Sequence, residues 1–312
     1  MKKKHMLIIY FIITILFCLL GTKVFFSVTN LELYRNPDEF YKNACIYFTD
    51  NNIEDNQEFQ YDGNYFQMNT MQCNYIAENY NKTGSFFLFF DRIITSPVFL
   101  FLFPMFVPVF VLIPIVFNFT REFEAGYIIY FLQRKSYKKY VTHLFKDSYK
   151  YFFPVFIILL YIIVLALILS HGNFDPRMDI YRSILGNDYL IFYNNFGNYI
   201  VYFIIILLNI FMYINIGLIA ISHSKNFYIV LIESFLITFI FNCFTFVFVG
   251  VFLQNVFGIV AESVNVFEIY TWSNITNPSL FLIVNLVYYL ISLIFVYFSY
   301  KNKEKIIMLC EV

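Results

Sequence analysis

The sequence predicts an all-α integral membrane protein with six transmembrane helices, cytoplasmic termini and a small extracellular cap between helices 1 and 2. Two observations predict this class: the 312 residues are 60% hydrophobic, and only 13% of them are charged. Soluble domains carry about 25% charged residues, so lipid must be the solvent for most of this chain. The third observation is the placement of lysine and arginine, which predicts the orientation.

Six apolar stretches are long enough to cross about 30 Å of hydrocarbon as helices, the form in which backbone groups bond within their own segment. We place these spans at 7–28, 94–118, 151–170, 199–221, 227–253 and 280–299. The first stretch has the basic start and apolar run of a secretory signal. No small-x-small cleavage site follows it, so we expect an uncleaved membrane helix within 1–28.

The connections between the spans alternate in charge. Lysines and arginines cluster at the N-terminus, in 119–150, in the turn 222–226 and in the tail 300–312, whereas acidic residues predominate in 29–93, 171–198 and 254–279. Because basic connections stay in the cytoplasm, both termini, 119–150 and 222–226 are predicted to be cytoplasmic. The multi-pass chain is accordingly expected in the plasma membrane of a bacterial cell.

The connection 29–93 is polar and too long for a tight turn, so it predicts the cap. Cys45 and Cys73 lie in it, the two cysteines outside the spans and the cytoplasmic tail. On the oxidising side of a membrane these two residues are a candidate disulfide, and two free thiols are the alternative. No spacing among the five cysteines resembles a zinc site, and no metal site is expected.

Motifs for chemistry are missing from the sequence. There is no G-x-x-x-x-G-K-[ST], no H-E-x-x-H and no G-x-S-x-G, so we expect neither an enzyme nor a cofactor in this chain. The formal net charge of zero gives no support to a nucleic-acid partner.

Four polar residues inside the spans are candidates for a translocation path: Glu233, Asn209, Asn215 and Asn242. A charge inside a membrane normally faces protein or water. The alternative for Glu233 is a position at the cytoplasmic interface close to Lys225. The alternative for the three asparagines is hydrogen bonding between helices.

The basic connection 119–150 is the most informative segment. Gly126 interrupts a helical pattern, and Tyr137, Tyr140, Val141 and Leu144 form an apolar stripe at helical spacing, so two short helices at the membrane surface are predicted. Contact with anionic membrane lipid accounts for the lysines. It does not account for Glu122 and Glu124, which precede Gly126.

An E-x-E-x-G motif directly after the second of six spans, with both termini inside, resembles the type-2 permease family of ATP-binding-cassette (ABC) exporters. In that family this segment is a coupling helix that inserts into a groove of an ATPase. The resemblance implies that Glu122, Glu124 and Gly126 match the acidic-glycine signature. The stretch that follows, with Arg134, Ser136 and Lys146, is similar to the family's continuation of that helix.

This resemblance implies a permease subunit of an ATP-driven exporter. Its partners would be a dimer of cytoplasmic ATPase chains, which bind ATP and Mg²⁺, and a second permease copy or sister permease. The sparse charge in the spans favours an amphipathic or apolar cargo, such as a peptide, bacteriocin, toxin or lipid. The alternative is a non-transporting immunity or receptor protein that binds a peptide through its cap.

Overall fold

The computed structural model describes residues 3–28, 38–79, 85–174, 196–224, 226–258 and 278–301. These residues are mainly helical, and they include six helices long and apolar enough to cross a membrane. The stretches that meet this criterion of length and composition are Ile8–Val28, Met105–Glu122, Tyr137–Leu169, Gly197–Ile221, Phe227–Phe244 and Pro278–Tyr300. An all-α multi-pass membrane protein is therefore confirmed at this coarse level.

The chain divides into two compact units. The first comprises residues 1–17, 101–158 and 197–312, and the second comprises 18–100 and 159–196. Part of the predicted connections lies outside the described residues, namely 29–37, 80–84, 175–195, Lys225, 259–277 and the tail beyond Lys301.

In chain order the helices of the described residues are as follows: α1 (Lys3–Val28), α2 (Asp38–Asp50), α3 (Thr70–Asn79), α4 (Phe86–Ile94), α5 (Phe103–Glu124), α6 (Tyr127–Arg134), α7 (Tyr137–Ser148), α8 (Phe153–Leu169), α9 (Phe196–Ile221), α10 (Phe227–Phe244), α11 (Val251–Phe257) and α12 (Pro278–Tyr300). A 3₁₀ turn, Tyr149–Phe152, joins α7 to α8. Wider π-helical turns, Val98–Leu102 and Thr245–Gly250, lead into α5 and out of α10.

Helix α9 is the most buried of the six membrane helices. It approaches α5 closely at Gly217, where a Cβ atom would lie 3.1 Å from a methyl carbon of Leu112. A glycine at this position lets the two backbones come together, as small residues do between membrane helices. Helix α5 also packs on α10, with the rings of Phe117 and Phe227 in edge contact.

The buried faces of α10 and α12 carry polar residues at helical spacing. Helix α10 buries Val230, Ser234, Thr238 and Asn242, which are four residues apart. Helix α12 buries Phe281, Asn285, Tyr288, Ser292, Val296 and Tyr300. The outer faces are apolar and exposed, as with Leu236 and Phe239. This is the reverse of a soluble helix and fits a lipid surround, in which polar groups must find partners inside the protein.

The second unit contains the cap, residues 38–79. Two strands, β1 (Glu58–Tyr61) and β2 (Asn64–Gln67), form an antiparallel hairpin in which Phe59 is opposite Phe66. Asp62 and Gly63 at its turn both have positive φ, as a two-residue hairpin of type I′ requires. This hairpin was not predicted from the sequence, in which the cap was expected only as a polar extracellular segment.

The hairpin packs with α2 and α3 around a small shared core. That core is made of Ala44, Cys45, Phe48, Phe59, Phe66, Met68, Cys73 and Ile76. Helix α3 starts with a reciprocal cap: Asn69 Oδ1 accepts from the backbone N–H of Gln72 at 2.8 Å, and Gln72 Oε1 accepts from the N–H of Asn69 at 3.0 Å. Such a pair satisfies two amide groups that the helix start leaves open.

Candidate functional site

The candidate site is the segment that joins α5 to α8 and contains α6 and α7. Helix α5 does not end at 118, as the second predicted span does, but runs on to Glu124. Hydropathy falls there while the backbone stays helical. Glu122 and Glu124 therefore belong to the last turns of a membrane helix.

Gly126 makes the bend after α5. Its φ is +64°, in the left-handed region, and nothing lies within 4 Å of where a Cβ would be. Backbone conformation, rather than space, thus explains glycine at this position. Helix α6 begins directly afterwards at Tyr127, so the bend sets the direction in which the α6–α7 segment leaves α5.

The six residues predicted for ATPase coupling differ in environment. Glu122 is half-buried and accepts a hydrogen bond of 3.1 Å from Asn118 Nδ2, one turn earlier on α5. Arg134 and Lys146 are exposed. Ser136 is the N-cap residue of α7, and its backbone carbonyl oxygen accepts from the N–H groups of Lys139 and Tyr140. The side chain of Glu124 is outside the described part of the structure.

The outer face of the α6–α7 segment combines aromatic rings and cations. The side chains of Tyr127 and Tyr130 are exposed, the latter by 65%. Phe131 packs on the rings of Tyr140 and His143, so α6 and α7 lie against each other. The ammonium group of Lys135 lies 5.0 Å from the centre of the Phe131 ring, a cation–π contact. Exposed aromatic side chains such as those of Tyr127 and Tyr130 are enriched at protein interfaces.

The inner face of α7 is tied to the ends of two other membrane helices. Tyr140 and Leu144 of the predicted apolar stripe are buried. The hydroxyl of Tyr137 donates to the backbone carbonyl oxygen of Tyr300 at 2.9 Å, and the hydroxyl of Tyr300 donates to the carbonyl oxygen of Leu218 at 2.9 Å. Two hydrogen bonds in series thus join α7 to the last turn of α12 and onward to α9.

Asn215, a predicted translocation-path residue, is fully buried between helices. Its Oδ1 accepts from the hydroxyl of Tyr149 at 3.1 Å, and its Nδ2 donates to Ser292 Oγ at 2.8 Å. The hydroxyl groups of Tyr149 and Tyr289 are 3.2 Å apart. The amide therefore links α9 to α12 and to the 3₁₀ turn that follows α7.

The other two predicted asparagines come together elsewhere in the same unit. Asn209 on α9 and Asn242 on α10 are buried, and both lie beside the hydroxyl of Tyr213. Three polar side chains thus lie close together between two apolar helices. A role of the three asparagines in cargo transfer stays a prediction.

Glu233 is near the start of α10. Its carboxylate makes a close contact with the ring Nδ1 of His223, in the turn between α9 and α10. Lys225, the cation expected near Glu233, is outside the described residues. His223 is a partner that the sequence analysis missed, although its spacing of ten from Glu233 across a short turn was a usable signal.

Cys45 and Cys73 lie side by side in the cap core, together with Met68, and both are free thiols. A hydrogen bond from the Cys45 thiol lowers the pKa of Cys73, and the same bond together with burial raises the pKa of Cys45. The structure thus brings the predicted pair together in the cap core. A disulfide between them stays a prediction.

The hydrogen bonds of four tyrosine hydroxyls and one serine hydroxyl were not predicted from the sequence. These residues are Tyr137, which was predicted only as part of an apolar stripe, Tyr149, Tyr289, Tyr300 and Ser292. In a chain with 27 tyrosines, no single tyrosine gives a signal. Comparisons of this chain with protein-family models, with curated proteins and with solved structures found no match.

Proposed function

We propose that this chain is the permease subunit of an ATP-driven ABC exporter in a bacterial plasma membrane. The observation that carries the proposal is the connection of the α6–α7 segment to the membrane helices. An exposed aromatic and basic face lies on one side of it, and hydrogen bonds from Tyr137 through Tyr300 to Leu218 lie on the other.

This arrangement is suited to passing a mechanical displacement from a partner into the membrane helices. The segment is continuous with α5 at Gly126 and with α8 through the 3₁₀ turn. Tyr149 in that turn contacts Asn215 of α9. A push on the α6–α7 segment therefore reaches several helices at once, as coupling through packed elements requires. ATP and Mg²⁺ are bound by the partner ATPase dimer.

The proposed cargo is an amphipathic or apolar peptide or lipid. A second permease copy, or a sister permease, supplies the other half of the path. ATP binding draws the two ATPases together, and the two permease halves then alternate their opening. The membrane helices expose apolar side chains over most of their surface, so the contacts available to a cargo are mainly apolar.

The test is affinity purification of the tagged chain from its native membrane, followed by mass spectrometry. We expect an ATPase chain to co-purify, and we expect Glu122→Gln, Gly126→Ala and Arg134→Glu to weaken that association. The control is Lys42→Glu, the same kind of charge reversal on the cap, which should leave the ATPase bound. Absence of any ATPase, with and without a crosslinker, would overturn the proposal.

Orientation is tested separately with a membrane-impermeant maleimide on intact cells. We expect Lys138→Cys to stay unlabelled and Tyr65→Cys to be labelled, because the first residue is on α7 and the second is exposed on the cap. Each variant is made with Cys45 and Cys73 replaced by serine. Labelling at position 138 from outside would place the α6–α7 segment on the wrong side for an ATPase.

A second candidate function is a receptor or immunity protein that binds a peptide through the cap. The observation in its favour is the exposed apolar surface of the cap, where Met71 is 84% exposed and Tyr65 is 65% exposed. Exposed methionine and tyrosine side chains are common at binding surfaces. A purified chain that retains a peptide, and that loses it on Tyr65→Ser and Met71→Ser without needing an ATPase, would favour this function.

A further inference from the structure

A partly open cavity of about 480 Å³ lies between α1, α5 and the start of α8, entirely within the first unit. Pro114 and Ile157 line its interior, and Phe11 and Phe153 form its outer walls. Its volume is within the range of pockets that hold small molecules. The function proposed above makes no use of this cavity.

Apolar side chains make up most of the cavity wall, and two of them are open to the surroundings of the helices. Phe11 is 54% exposed and Phe153 is 57% exposed, and both belong to membrane helices. An apolar cavity holds water poorly. The adjacent apolar phase is lipid, so an acyl chain can enter the cavity from the side where Phe11 and Phe153 are exposed without crossing a polar layer.

One end of the cavity is charged. Lys150 Nζ lies 2.6 Å from Asp147 Oδ1, and both residues line the cavity. Asp147 is shared, because its other oxygen lies 3.5 Å from His143 Nδ1. The Lys150 side chain is 67% exposed, compared with 20% for that of Asp147. The ammonium group, which has three donors, is thus the more available charge and favours an anionic partner.

We propose that this cavity binds one membrane amphiphile, with its acyl chain between α1, α5 and α8 and an anionic headgroup against Lys150. The apolar part of the cavity matches the acyl chain of such a molecule, and the cation at one end matches its anionic headgroup. The proposal does not rest on the exporter function, since an amphiphile fits the cavity whatever the α6–α7 segment contacts.

The position of the cavity gives its occupant a structural consequence. The α5 wall includes Pro114 and Asn118, and the opposite wall includes Lys150 of the 3₁₀ turn and Ile157 of α8. These walls flank the α6–α7 segment on both sides along the chain. Asn118 also donates to Glu122, the first acidic residue of the motif. A bound acyl chain therefore holds together the two ends of the candidate site.

Photolabelling of the full-length chain in detergent tests the proposal. The probe is lysophosphatidylglycerol with a diazirine in its acyl chain, and the zwitterionic comparison is lysophosphatidylcholine with the same chain. We expect saturable labelling that unlabelled lysophosphatidylglycerol competes away. Mass spectrometry should map it to residues 10–14, 114–118 or 150–157, with the anionic probe preferred.

Two substitutions separate the cavity from the general lipid surface. Ile157→Trp fills the chamber and should abolish the saturable labelling. Phe156→Trp, one residue earlier on the exposed side of α8 and outside the cavity lining, should retain it. Lys150→Gln, at a position where the side chain is 67% exposed, should keep the labelling and lose the preference for the anionic headgroup.

Labelling that rises linearly with probe concentration, and that spreads equally over the exposed faces of α10 and α12, would overturn the proposal in favour of annular lipid. A co-purified peptide or a second copy of the chain crosslinked at these residues would overturn it in favour of a protein occupant. Equal labelling of Ile157→Trp and Phe156→Trp would likewise exclude the chamber.

Discussion

The side-chain hydroxyl of Tyr137, at the start of α7, donates a hydrogen bond of 2.9 Å to the backbone carbonyl oxygen of Tyr300, at the end of α12. The last carbonyl groups of a helix have no partner within the helix. Tyr137 satisfies one of them from a segment that is 163 residues away in the chain. This bond joins the α6–α7 segment to the last turn of α12.

Replacing Tyr137 with phenylalanine should loosen this attachment while keeping the ring in place. We expect a loss of about 1 kcal/mol of stability, the usual contribution of one hydrogen bond. Hydrogen–deuterium exchange of the protein in detergent should show faster exchange in peptides that cover 137–148 and 298–301. Tyr130→Phe is the matched control, because Tyr130 is exposed on the outer face of α6. Unchanged exchange in Tyr137→Phe would show that packing alone holds the segment.

Asn215 is the residue whose loss should affect the membrane helices most among the polar residues. Its removal leaves the hydroxyl of Tyr149 and that of Ser292 without their amide partner inside the protein. We expect Asn215→Ala to lower the free energy of unfolding by about 1–2 kcal/mol, measured by denaturation in mixed micelles. Asn255→Ala, at an exposed amide on α11, should change it little. Equal effects of the two variants would contradict the buried network.

Composition and length predicted the six membrane helices, because lipid exposure demands long apolar stretches regardless of the packing inside. The end of α5 was harder to predict. The apolar run stops near 118 while the helix continues to Glu124. Hydropathy reports which residues tolerate lipid, and it does not report where backbone hydrogen bonding stops.

The partners of the polar residues could not be predicted from the sequence. Asn215 bonds with Tyr149, which is 66 positions away in the chain, and with Ser292, which is 77 positions away. The bond to Ser292 depends on how α9 and α12 are rotated against each other. The cap hairpin, by contrast, carried a readable signal. Asp62-Gly63 between Phe59 and Phe66 is a type I′ turn sequence flanked by alternating apolar residues. Each of the two strands has four residues, which is far shorter than an apolar run that spans a membrane.

Gly126 offers a test of backbone conformation that is independent of packing. An alanine there meets no neighbouring atom, so the left-handed φ of +64° is the source of any cost. We expect Gly126→Ala to lower stability by about 1 kcal/mol. Gly126→Asn should cost less, since asparagine tolerates this region better. Thermal unfolding in detergent compares the three proteins, and an asparagine variant no better than alanine would contradict the explanation.

The stability of the cap should depend on pH through Asp55. The side-chain hydroxyl of Thr70 donates to the Asp55 carboxylate at 2.8 Å and the Thr70 backbone N–H donates at 2.9 Å, and these two bonds hold the pKa of Asp55 below its usual value. A folded-state pKa below the unfolded value of about 3.9 means that the stabilisation is present above about pH 4. It is lost as the pH falls from there through the folded-state pKa.

Hydrogen-exchange protection factors, which remove the intrinsic pH dependence of exchange, measure this effect in peptides that cover 53–57 and 68–73. We expect protection to fall between pH 6 and about pH 3 in the native chain. Asp55→Asn should already be less protected at pH 6 and should change less on acidification, because the amide oxygen accepts the Thr70 bonds without a charge. Asp50→Asn, at an exposed carboxylate on the same cap, is the control and should behave like the native chain. A native cap whose protection is constant over this range would show that its apolar core, and not the Asp55–Thr70 contact, holds α3 in place.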